Sequence, residues 1–487
     1  MAFIRKIKTA SGATAIQIAH KRYGRIANIE HIGSAHSKND LDTLLAIANK
    51  RLLAGQQSLF TEPASSLTVI LKKSVSQLLL ETLLQLYASL GFTQLNDEIF
   101  AYLCIARLVE PTSKLDSIRV LAELGVRSIN KNRIYRCLKQ IMTKDYRKTI
   151  ASCCFAHASS GISLVLYDVT TLYFEVQKED EYRKSGMSKE RRLEPQIVVG
   201  LLVDQYGFPL GLHSFEGNTA ETKTILPVIE AFKKEHGLTN VTVVADAAML
   251  SQRNLEALNA AGYTYIVGSR LQKIPYDIAE YQKIGKLADL QIITTKLANG
   301  QRIIYQYREK RAALDLKNIE KQIAKAEKII SGKVSDKRAK FVQVNIKEKE
   351  LNQKLIDKAK ALVGIKGYVT NLSLSDDQII SFYHQLWHVE QSFRMSKSDL
   401  RARPIFHHKR EAIEAHLTIV FAALAIGIVI TNRTGLSVKR FIRLLRPIRS
   451  GTVTINGKEY TAEAEISPET KKLMHKLQSE LSFKKFR

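Results

Sequence analysis

The chain has 487 residues, of which 74 are Lys or Arg and 47 are Asp or Glu, so its formal net charge is +27. A hydrophobic fraction of 45% with 7% aromatic residues can build buried cores, which excludes a mainly disordered chain. The 9 prolines and 24 glycines are too few for a collagen-like or low-complexity protein. Because phosphates attract Lys and Arg, the charge favours nucleic acid as the partner. The alternative is a soluble enzyme with a solvated basic face.

Three features of the sequence predict a reduced cytoplasmic protein. The four cysteines lack paired metal-ligand spacing, so we expect free thiols and not a disulfide framework. The N-terminal segment MAFIRKIKTASG contains no apolar core, so we expect no secretory signal. The longest apolar run, residues 417–430, is shorter than the ~20 residues of a membrane span. We therefore expect this run to be a buried helix, and we expect no membrane partner.

The region before residue 155 predicts a small β-meander with a helix, followed by a helical segment. Two helices of that segment, one that follows Ser113 and runs through Leu124 and one at 129–142, are joined by a short turn that contains Gly125. This arrangement fits a helix-turn-helix whose second helix brings Arg133 and Arg136 to DNA. The alternative is an ordinary helical bundle with a basic surface.

Two short apolar strands further along the chain each end in an aspartate. They are residues 163–168, ending in Asp168, and residues 241–246, ending in Asp246, within the predicted order β-β-β-α-β-α-β. If the strands lie parallel and about 4.8 Å apart, both carboxylates leave the same edge of the sheet and can share a divalent cation. The cation removes the repulsion between them. The alternative is two unrelated turn or helix-cap aspartates.

A predicted helix at 376–400 supplies a third acid. One face of this helix, at offsets of 0, 4, 7, 11 and 14, carries Tyr383, Trp387, Glu390, Arg394 and Lys397. An acid among aromatic and basic neighbours suits a metal ligand beside a phosphodiester. We therefore assign Glu390 to the cation and the other four residues to DNA contact. The alternative is a solvated face on which Glu390 pairs with Arg394.

These residues resemble a known family, the DDE transposases of bacterial insertion sequences, in the branch called insertion-sequence family four. Tyr383, Glu390 and Lys397 fall on its Tyr-x2-Arg-x3-Glu-x6-Lys signature, and Leu386 occupies the position of the signature arginine. Four flanking segments also resemble the family, namely residues 167–171, 217–218, 245–249 and 403–405.

The resemblance implies an α/β fold with an RNase H-like mixed-sheet core that is interrupted by an insertion. It implies Asp168, Asp246 and Glu390 as a catalytic triad that binds two Mg²⁺ or Mn²⁺ ions. The implied partners are double-stranded DNA, as element ends and as target, and a second copy of the chain in a homodimeric synaptic complex. The implied location is the bacterial cytoplasm, in association with the nucleoid.

The length predicts several domains. The segments that we expect are an N-terminal β-meander with a helix at 1–70, a helical DNA-binding region at 71–155, the catalytic core at 156–270 and 363–432, the insertion at 271–362, and a basic C-terminal region at 433–487.

The predicted function is a transposase that binds the terminal inverted repeats of its own insertion sequence and catalyses metal-dependent cleavage and strand transfer. A structure-specific nuclease with an RNase H-like core would use the same carboxylates without strand transfer. A domesticated DNA-binding protein would keep the fold without the chemistry, but the presence of all three acids argues against it.

Overall fold

The computed structural model describes residues 2–10, 12–53, 69–158, 164–175, 178–187, 193–238, 241–247, 249, 251–269, 275–297, 300–333, 339–345, 348–455 and 458–483. The chain divides into two compact units. The first comprises residues 1–69 with 455–458, and the second comprises residues 70–454 with 459–487.

The first unit is a three-stranded antiparallel sheet with one helix. Its elements are β1 (Ala2–Lys8), β2 (Thr14–Arg22), β3 (Arg25–Ala35) and α1 (Lys38–Leu53), with the strand order β1-β2-β3. Ile16 and Ile18 of β2 and Ala48 of α1 form its small buried core. A small β-meander with a helix is what the sequence predicts for this region.

The second unit begins with a strand and a group of helices. They are β4 (Val69–Val75), α2 (Gln77–Ser89), α3 (Glu98–Val109), α4 (Ser117–Leu124), α5 (Lys131–Thr143) and α6 (Tyr146–Ala158), with a 3₁₀ turn at Phe92–Leu95. The predicted pair of helices around Gly125 is present as α4 and α5. α5 begins later than predicted because the side chain of Asn130 accepts a hydrogen bond from the backbone N–H of Arg133 at 3.0 Å and caps the helix.

The chain then builds the centre of a large sheet. The elements are β5 (Leu164–Tyr173), β6 (Gln196–Asp204), β7 (Pro209–Glu216), a 3₁₀ turn (Glu221–Lys223), α7 (Ile225–His236), β8 (Thr242–Ala245), α8 (Gln252–Ala260) and β9 (Thr264–Ser269). β5 and β8 are parallel neighbours, which confirms the predicted pairing. The prediction that the first strand ends at Asp168 is wrong, since β5 continues to Tyr173.

The next segment was predicted as an insertion, and part of it extends this sheet. Its elements are α9 (Tyr276–Ile284), β10 (Ile292–Lys296), β11 (Arg302–Tyr307), α10 (Glu309–Ile330), β12 (Val342–Asn345), β13 (Glu348–Leu351) and α11 (Gln353–Ala361), followed by β14 (Ile365–Thr370). The sheet has the order β10-β11-β14-β9-β8-β5-β6-β7. A separate small core lies between α10, α11 and the β12–β13 hairpin.

The C-terminal part is mainly helical. It comprises α12 (Asp376–His384), α13 (Trp387–Arg394), a π-helix (Met395–Asp399), α14 (Arg410–Thr434), α15 (Val438–Leu445), β15 (Ser450–Ile455), β16 (Lys458–Ala462) and α16 (Pro468–Phe483). α14 is long and apolar enough to cross a membrane, but its most apolar stretch is entirely buried inside the protein. It packs against α3, α5 and β7, so the predicted buried helix is confirmed. The result is a mixed α/β fold whose helices and large mixed sheet share one core.

Candidate active site

Asp168 and Asp246 are neighbours on two central strands of the large sheet. β5 and β8 pair in parallel, with Tyr167 opposite Ala245. Asp168 and Asp246 are the residues that follow this pair, and adjacent strands lie about 4.8 Å apart. Asp168 is partly buried within β5, whereas Asp246 is exposed just after β8 ends. The predicted adjacency is present, and the catalytic roles of the two acids stay predictions.

The helix that carries Glu390 is held against the first of these strands. α13 packs on β5 and β6, while α12 packs on β8, β9 and β14. Ser392 of α13 donates a hydrogen bond to the carbonyl of Gly207 in the turn between β6 and β7, at 2.9 Å. Gly207 has a φ of +82°, and a Cβ there would lie 3.1 Å from the Cβ of His388, so this close contact favours glycine. Glu390 is exposed on the helix that these contacts anchor.

Tyr383 connects α12 to Asp246. Its hydroxyl donates a hydrogen bond to Oδ1 of Asp246 at 3.1 Å, and its ring lies 4.9 Å from that of Tyr368. Burial raises the pKa of Tyr383, and the charge of Asp246 raises it further, so the hydroxyl stays a neutral donor. A Cβ at Gly268 on β9 would lie 2.6 Å from this hydroxyl, so glycine makes room for it. Tyr383, predicted to contact DNA, is therefore buried and bound to an acid.

Lys366 of β14 is a member of the site that sequence reasoning missed. Its Nζ lies 4.3 Å from the ring centroid of Tyr383, within cation–π range. Burial and then the charge of Arg311 lower the pKa of Lys366, while Asp246 and Glu390 act in the opposite direction. Asp246 and Glu390 also both raise the pKa of Tyr383. Both acids are therefore near enough to influence the same two groups, Tyr383 and Lys366.

Two arginines from the start of α10 add positive charge beside Lys366. Arg308 donates from Nε to the side-chain oxygen of Gln306 at 3.0 Å, and Gln306 is the register partner of Lys366. Arg308 and Arg311 are exposed, and both lower the pKa of Lys366. Leu386, at the position of the signature arginine, is buried in the core. Lys366 of β14 and the two arginines at the start of α10 thus bring positive charge to this site, whereas the buried Leu386 brings none.

The prediction of one continuous helix over 376–400 is wrong. α12 ends at His384, α13 begins at Trp387, and the last segment, Met395–Asp399, is a π-helix. Hydrogen bonds from a backbone N–H to the carbonyl three residues earlier join the two α-helices and change the direction of their side chains. Tyr383 is consequently buried while Trp387 is 48% exposed, so the five predicted residues do not share one face.

The three remaining residues of that predicted face differ in their access to solvent. Trp387 and Arg394 are exposed, and the Trp387 ring lies 4.0 Å from that of His388. Lys397 is partly buried and, with Thr170 and other residues, lines a small cavity of about 20 Å³. The side chains of Trp387 and Arg394 are thus accessible to a partner molecule, whereas the side chain of Lys397 is only partly accessible.

The predicted DNA-reading helix, α5, has an exposed basic face. Arg136 and Lys139 are exposed, and the ammonium of Lys131 lies 5.8 Å from the ring of the half-exposed Tyr135. Arg133 is held differently, because its Nη1 donates to the carbonyl of Ser128 at 2.7 Å. Arg136 is therefore better placed than Arg133 to meet a ligand.

The three carboxylates are the ligand type that a hard divalent cation prefers, but their side chains do not form a cluster in the structure. Within the described parts of the chain, no group of three or more His, Cys, Asp or Glu side chains could hold a metal ion. Asp168 and Asp246 nevertheless offer neighbouring anionic oxygens, and Glu390, like Asp246, raises the pKa of Tyr383. Mg²⁺ and Mn²⁺ prefer such oxygen ligands, so the donor set fits either ion.

Comparison with known proteins gives a family. Residues 159–426, more than half of the chain, match the family model described as a transposase DDE domain. No curated protein matches the sequence. A piggyBac transposase synaptic complex with hairpin DNA is similar with a TM-score of 0.38 and 10% identity, over 82% of this chain and 74% of that one. A Mos1 transposase paired-end complex with the left transposon end has a TM-score of 0.17 and 11% identity, over 47% of this chain and 67% of that one.

At TM-scores below 0.5 neither structural likeness supports an argument about fold or function. The family match does not depend on them, and it spans both aspartates and Glu390. The chain belongs to the transposase DDE domain family.

Proposed function

We propose that this chain is the transposase of a bacterial insertion sequence that resembles insertion-sequence family four. It binds the terminal inverted repeats of its element, cuts the DNA at the element ends and joins the freed ends to target DNA. Its catalytic part is an RNase H-like core, and it works as a homodimer in a synaptic complex in the bacterial cytoplasm. The family supports the reaction class, since DDE transposases generally use divalent metal ions.

One observation carries the proposal. Asp168 and Asp246 follow register partners on parallel strands, and Glu390 acts on the same Tyr383 and Lys366 as Asp246 does. These relations support a shared site for the three acids, which come from distant parts of the sequence. In a protein of net charge +27, an acidic centre beside basic groups suits a reaction on a phosphodiester.

Asp168, Asp246 and Glu390 would hold two Mg²⁺ or Mn²⁺ ions. Such ions, when bound, lower the pKa of water and stabilise developing charge on phosphate oxygens. Tyr383 orients Asp246 through its hydroxyl, and Gly268 leaves the space that this hydroxyl needs. Lys366, Arg308 and Arg311 offer positive charge to the phosphates beside the cut.

The reaction proceeds in two displacements at phosphorus. In the first, a water oxygen bonds to the phosphorus at the element end, the bond to the 3′ oxygen breaks, and that oxygen takes up a proton. In the second, the new 3′-hydroxyl attacks a phosphodiester of the target, whose own 3′ oxygen leaves. Water and then the DNA end are the nucleophiles, so no Ser, Tyr or Cys of the chain needs to bond to DNA.

DNA recognition is assigned to exposed groups outside the acidic centre. Arg136 and, to a smaller extent, Arg133 would read the inverted repeats from α5. Trp387, Arg394 and the exposed part of Lys397 would contact DNA next to the cut. These contacts use the side-chain types that bind phosphates and stack on bases.

A gel assay with labelled inverted-repeat duplexes and a target plasmid tests the proposal. Wild-type protein should give strand-transfer products that require Mg²⁺ or Mn²⁺. Asp168→Asn, Asp246→Asn and Glu390→Gln should each abolish cleavage but keep binding, because an amide does not supply the anionic ligand that the ion needs.

Asp204→Asn is the matched control for these variants. Asp204 is a carboxylate of the same sheet, but its Oδ1 accepts the backbone N–H groups of Tyr206 and Phe208 in its own hairpin. This variant should cleave like wild type. Cleavage without strand transfer would instead identify a nuclease, and binding alone would identify a non-catalytic DNA-binding protein.

A further inference from the structure

A cavity lined by basic residues lies away from the acidic centre. It has a volume of about 370 Å³ and lies between the end of α3, the connection to α4, residues 401–407 and α14. Four cations and two histidines line it, namely Arg107, Lys114, Arg401, Arg403, His407 and His416. Among the described residues that line it there is no Asp or Glu. We call this space the cationic cavity.

Several of these basic groups are deeply buried. Arg107, Lys114 and His416 are 7%, 8% and 4% exposed. Nζ of Lys114 lies 2.5 Å from Nδ1 of His416, whose Nε2 lies 3.0 Å from the carbonyl oxygen of Ala402. In the tautomer of His416 whose Nε2–H donates to the carbonyl of Ala402, Nδ1 carries a lone pair. The ammonium of Lys114 then donates a hydrogen bond to Nδ1. The site is therefore a built arrangement, in which each partner fixes the next.

The cavity is electrostatically unfavourable as it stands. Burial lowers the pKa of Lys114 well below its ordinary range, and the charge of Arg107 lowers it further. Burial, with the charge of Arg401 acting in the same direction, lowers the pKa of Arg107 to about 10. Burial and the charge of Lys114 lower the pKa of His407 to about 4. Arg107 and Lys114 are buried beside other cations, with no Asp or Glu among the described residues that line the cavity, and this costs free energy that a bound anion would recover.

The chemistry of the lining selects the class of anion. Arginine side chains present fork-shaped pairs of N–H donors that match phosphate oxygens, and Lys114 adds a point charge. The hydroxyl residues Thr112 and Ser113 also line the space. Ser113, Arg401 and Phe406 are exposed, so the cavity has a rim that reaches solvent.

We infer that the cationic cavity binds a phosphate group of the DNA on which this protein acts. This inference rests on the proposed function for the identity of the DNA. The guanidinium of Arg403 lies 5.5 Å from the ring of Tyr173, which is five residues after Asp168 on β5. Five residues of strand span about 17 Å. One DNA strand carries a phosphate every ~3.4 Å along the helix axis, so DNA that follows β5 from a cut at Asp168 would bring a phosphate about five nucleotides away to the cavity.

The first experiment uses inorganic phosphate as the probe. Thermal unfolding of the full chain is followed with phosphate and with chloride at equal ionic strength. Phosphate should raise the melting temperature of wild type and of Lys354→Met, which removes an exposed lysine on α11. It should not raise the melting temperature of Lys114→Met. Removing one of several repelling buried cations should also make phosphate-free Lys114→Met at least as stable as wild type, an outcome that loss of a structural contact would not give.

Arg401→Gln provides a second variant, because Arg401 is exposed and its loss leaves the buried core intact. It too should lose most of the phosphate effect. If phosphate stabilises both cavity variants as much as wild type, the site does not exist.

The second experiment separates DNA phosphate from free phosphate. Single phosphates about three to seven nucleotides from the cut are replaced by neutral methylphosphonates in the inverted-repeat duplex. One replacement should weaken wild-type binding about tenfold or more, as expected for a charge-assisted contact, and should have little further effect on Arg401→Gln. Uniform small effects at every position, with phosphate stabilisation intact, would overturn the DNA assignment. Cleavage by wild type in the same duplex reports on the proposed function separately.

Discussion

Replacing Tyr383 by Phe removes one hydroxyl from the candidate active site and leaves the ring. The lost hydrogen bond, at 3.1 Å to Oδ1 of Asp246, ends on a charged group, and such bonds contribute about 1.5–3 kcal/mol. Asp246 is exposed and keeps a 2.7 Å hydrogen bond from the backbone N–H of Ala247, so the lower figure applies. About 1.5 kcal/mol corresponds to a roughly tenfold slower cleavage. The contact between the ring and Lys366 remains.

The assay is single-turnover cleavage of a labelled element end over a range of Mg²⁺ concentrations. Tyr383→Phe should be about tenfold slower at limiting Mg²⁺ and should recover partly at high Mg²⁺, because a loosened ligand weakens metal binding. Burial raises the pKa of Tyr383, so the deficit should be the same from about pH 6 to pH 9. Tyr368→Phe is the control, since that ring lies against Tyr383 without a hydrogen bond to Asp246. Wild-type rates for Tyr383→Phe at all Mg²⁺ concentrations would refute the orienting role.

Three further predictions follow from other parts of the structure. Lys366→Met should slow cleavage while tightening Mg²⁺ binding a few-fold, since it removes a cation that competes with the metal; weaker metal binding would contradict this. Arg136→Ala should reduce binding to the element ends by roughly 5- to 100-fold and binding to random DNA less, with a smaller effect for Arg133→Ala; equal losses on both DNAs would make α5 a backbone contact only. Burial, with the charge of Arg147, lowers the pKa of His213 to about 4 in the folded protein. In the unfolded chain this histidine keeps its ordinary pKa of about 6.5, so as the pH falls the unfolded state is protonated before the folded state. His213 should therefore lower the free energy of unfolding by at most about 2 kcal/mol between pH 7 and pH 5, as measured by urea unfolding. A His213→Asn variant whose free energy of unfolding still falls as much as that of wild type over this range would contradict the assignment.

The aspartate pair could be predicted from the sequence because short apolar runs report buried strands. The runs before Asp168 and Asp246 predicted β5 and β8, and a parallel pairing followed from their order. The strand end at Asp168 could not be located, because a polar residue reads as a boundary. Thr170 and Thr171 are also polar, but β-branched residues favour extended backbone, and the strand continues through them.

The rest of the site depends on long-range pairing. Lys366 enters it only because β14 pairs with β9 and β11, and Arg308 follows through Gln306 on β11. Spacing along the chain carries no signal for such contacts. The break between α12 and α13 was also hidden, since no Pro or Gly marks it. Helical spacing therefore grouped Tyr383 with Glu390 on one face, whereas the structure places them on two separate helices.

The central claim is that Asp168, Asp246 and Glu390 bind metal at one shared site, and iron-directed cleavage of the protein tests it most directly. Fe²⁺ replaces Mg²⁺, and ascorbate with peroxide generates hydroxyl radicals that cut the backbone close to the ion. The claim predicts three sets of fragments, with ends near residues 168, 246 and 390, that disappear together in Asp246→Asn and in the presence of excess Mg²⁺. Asp204→Asn should retain all three sets. Fragments at only one of these positions, or an Asp246→Asn variant that still cuts near the other two, would contradict a shared site.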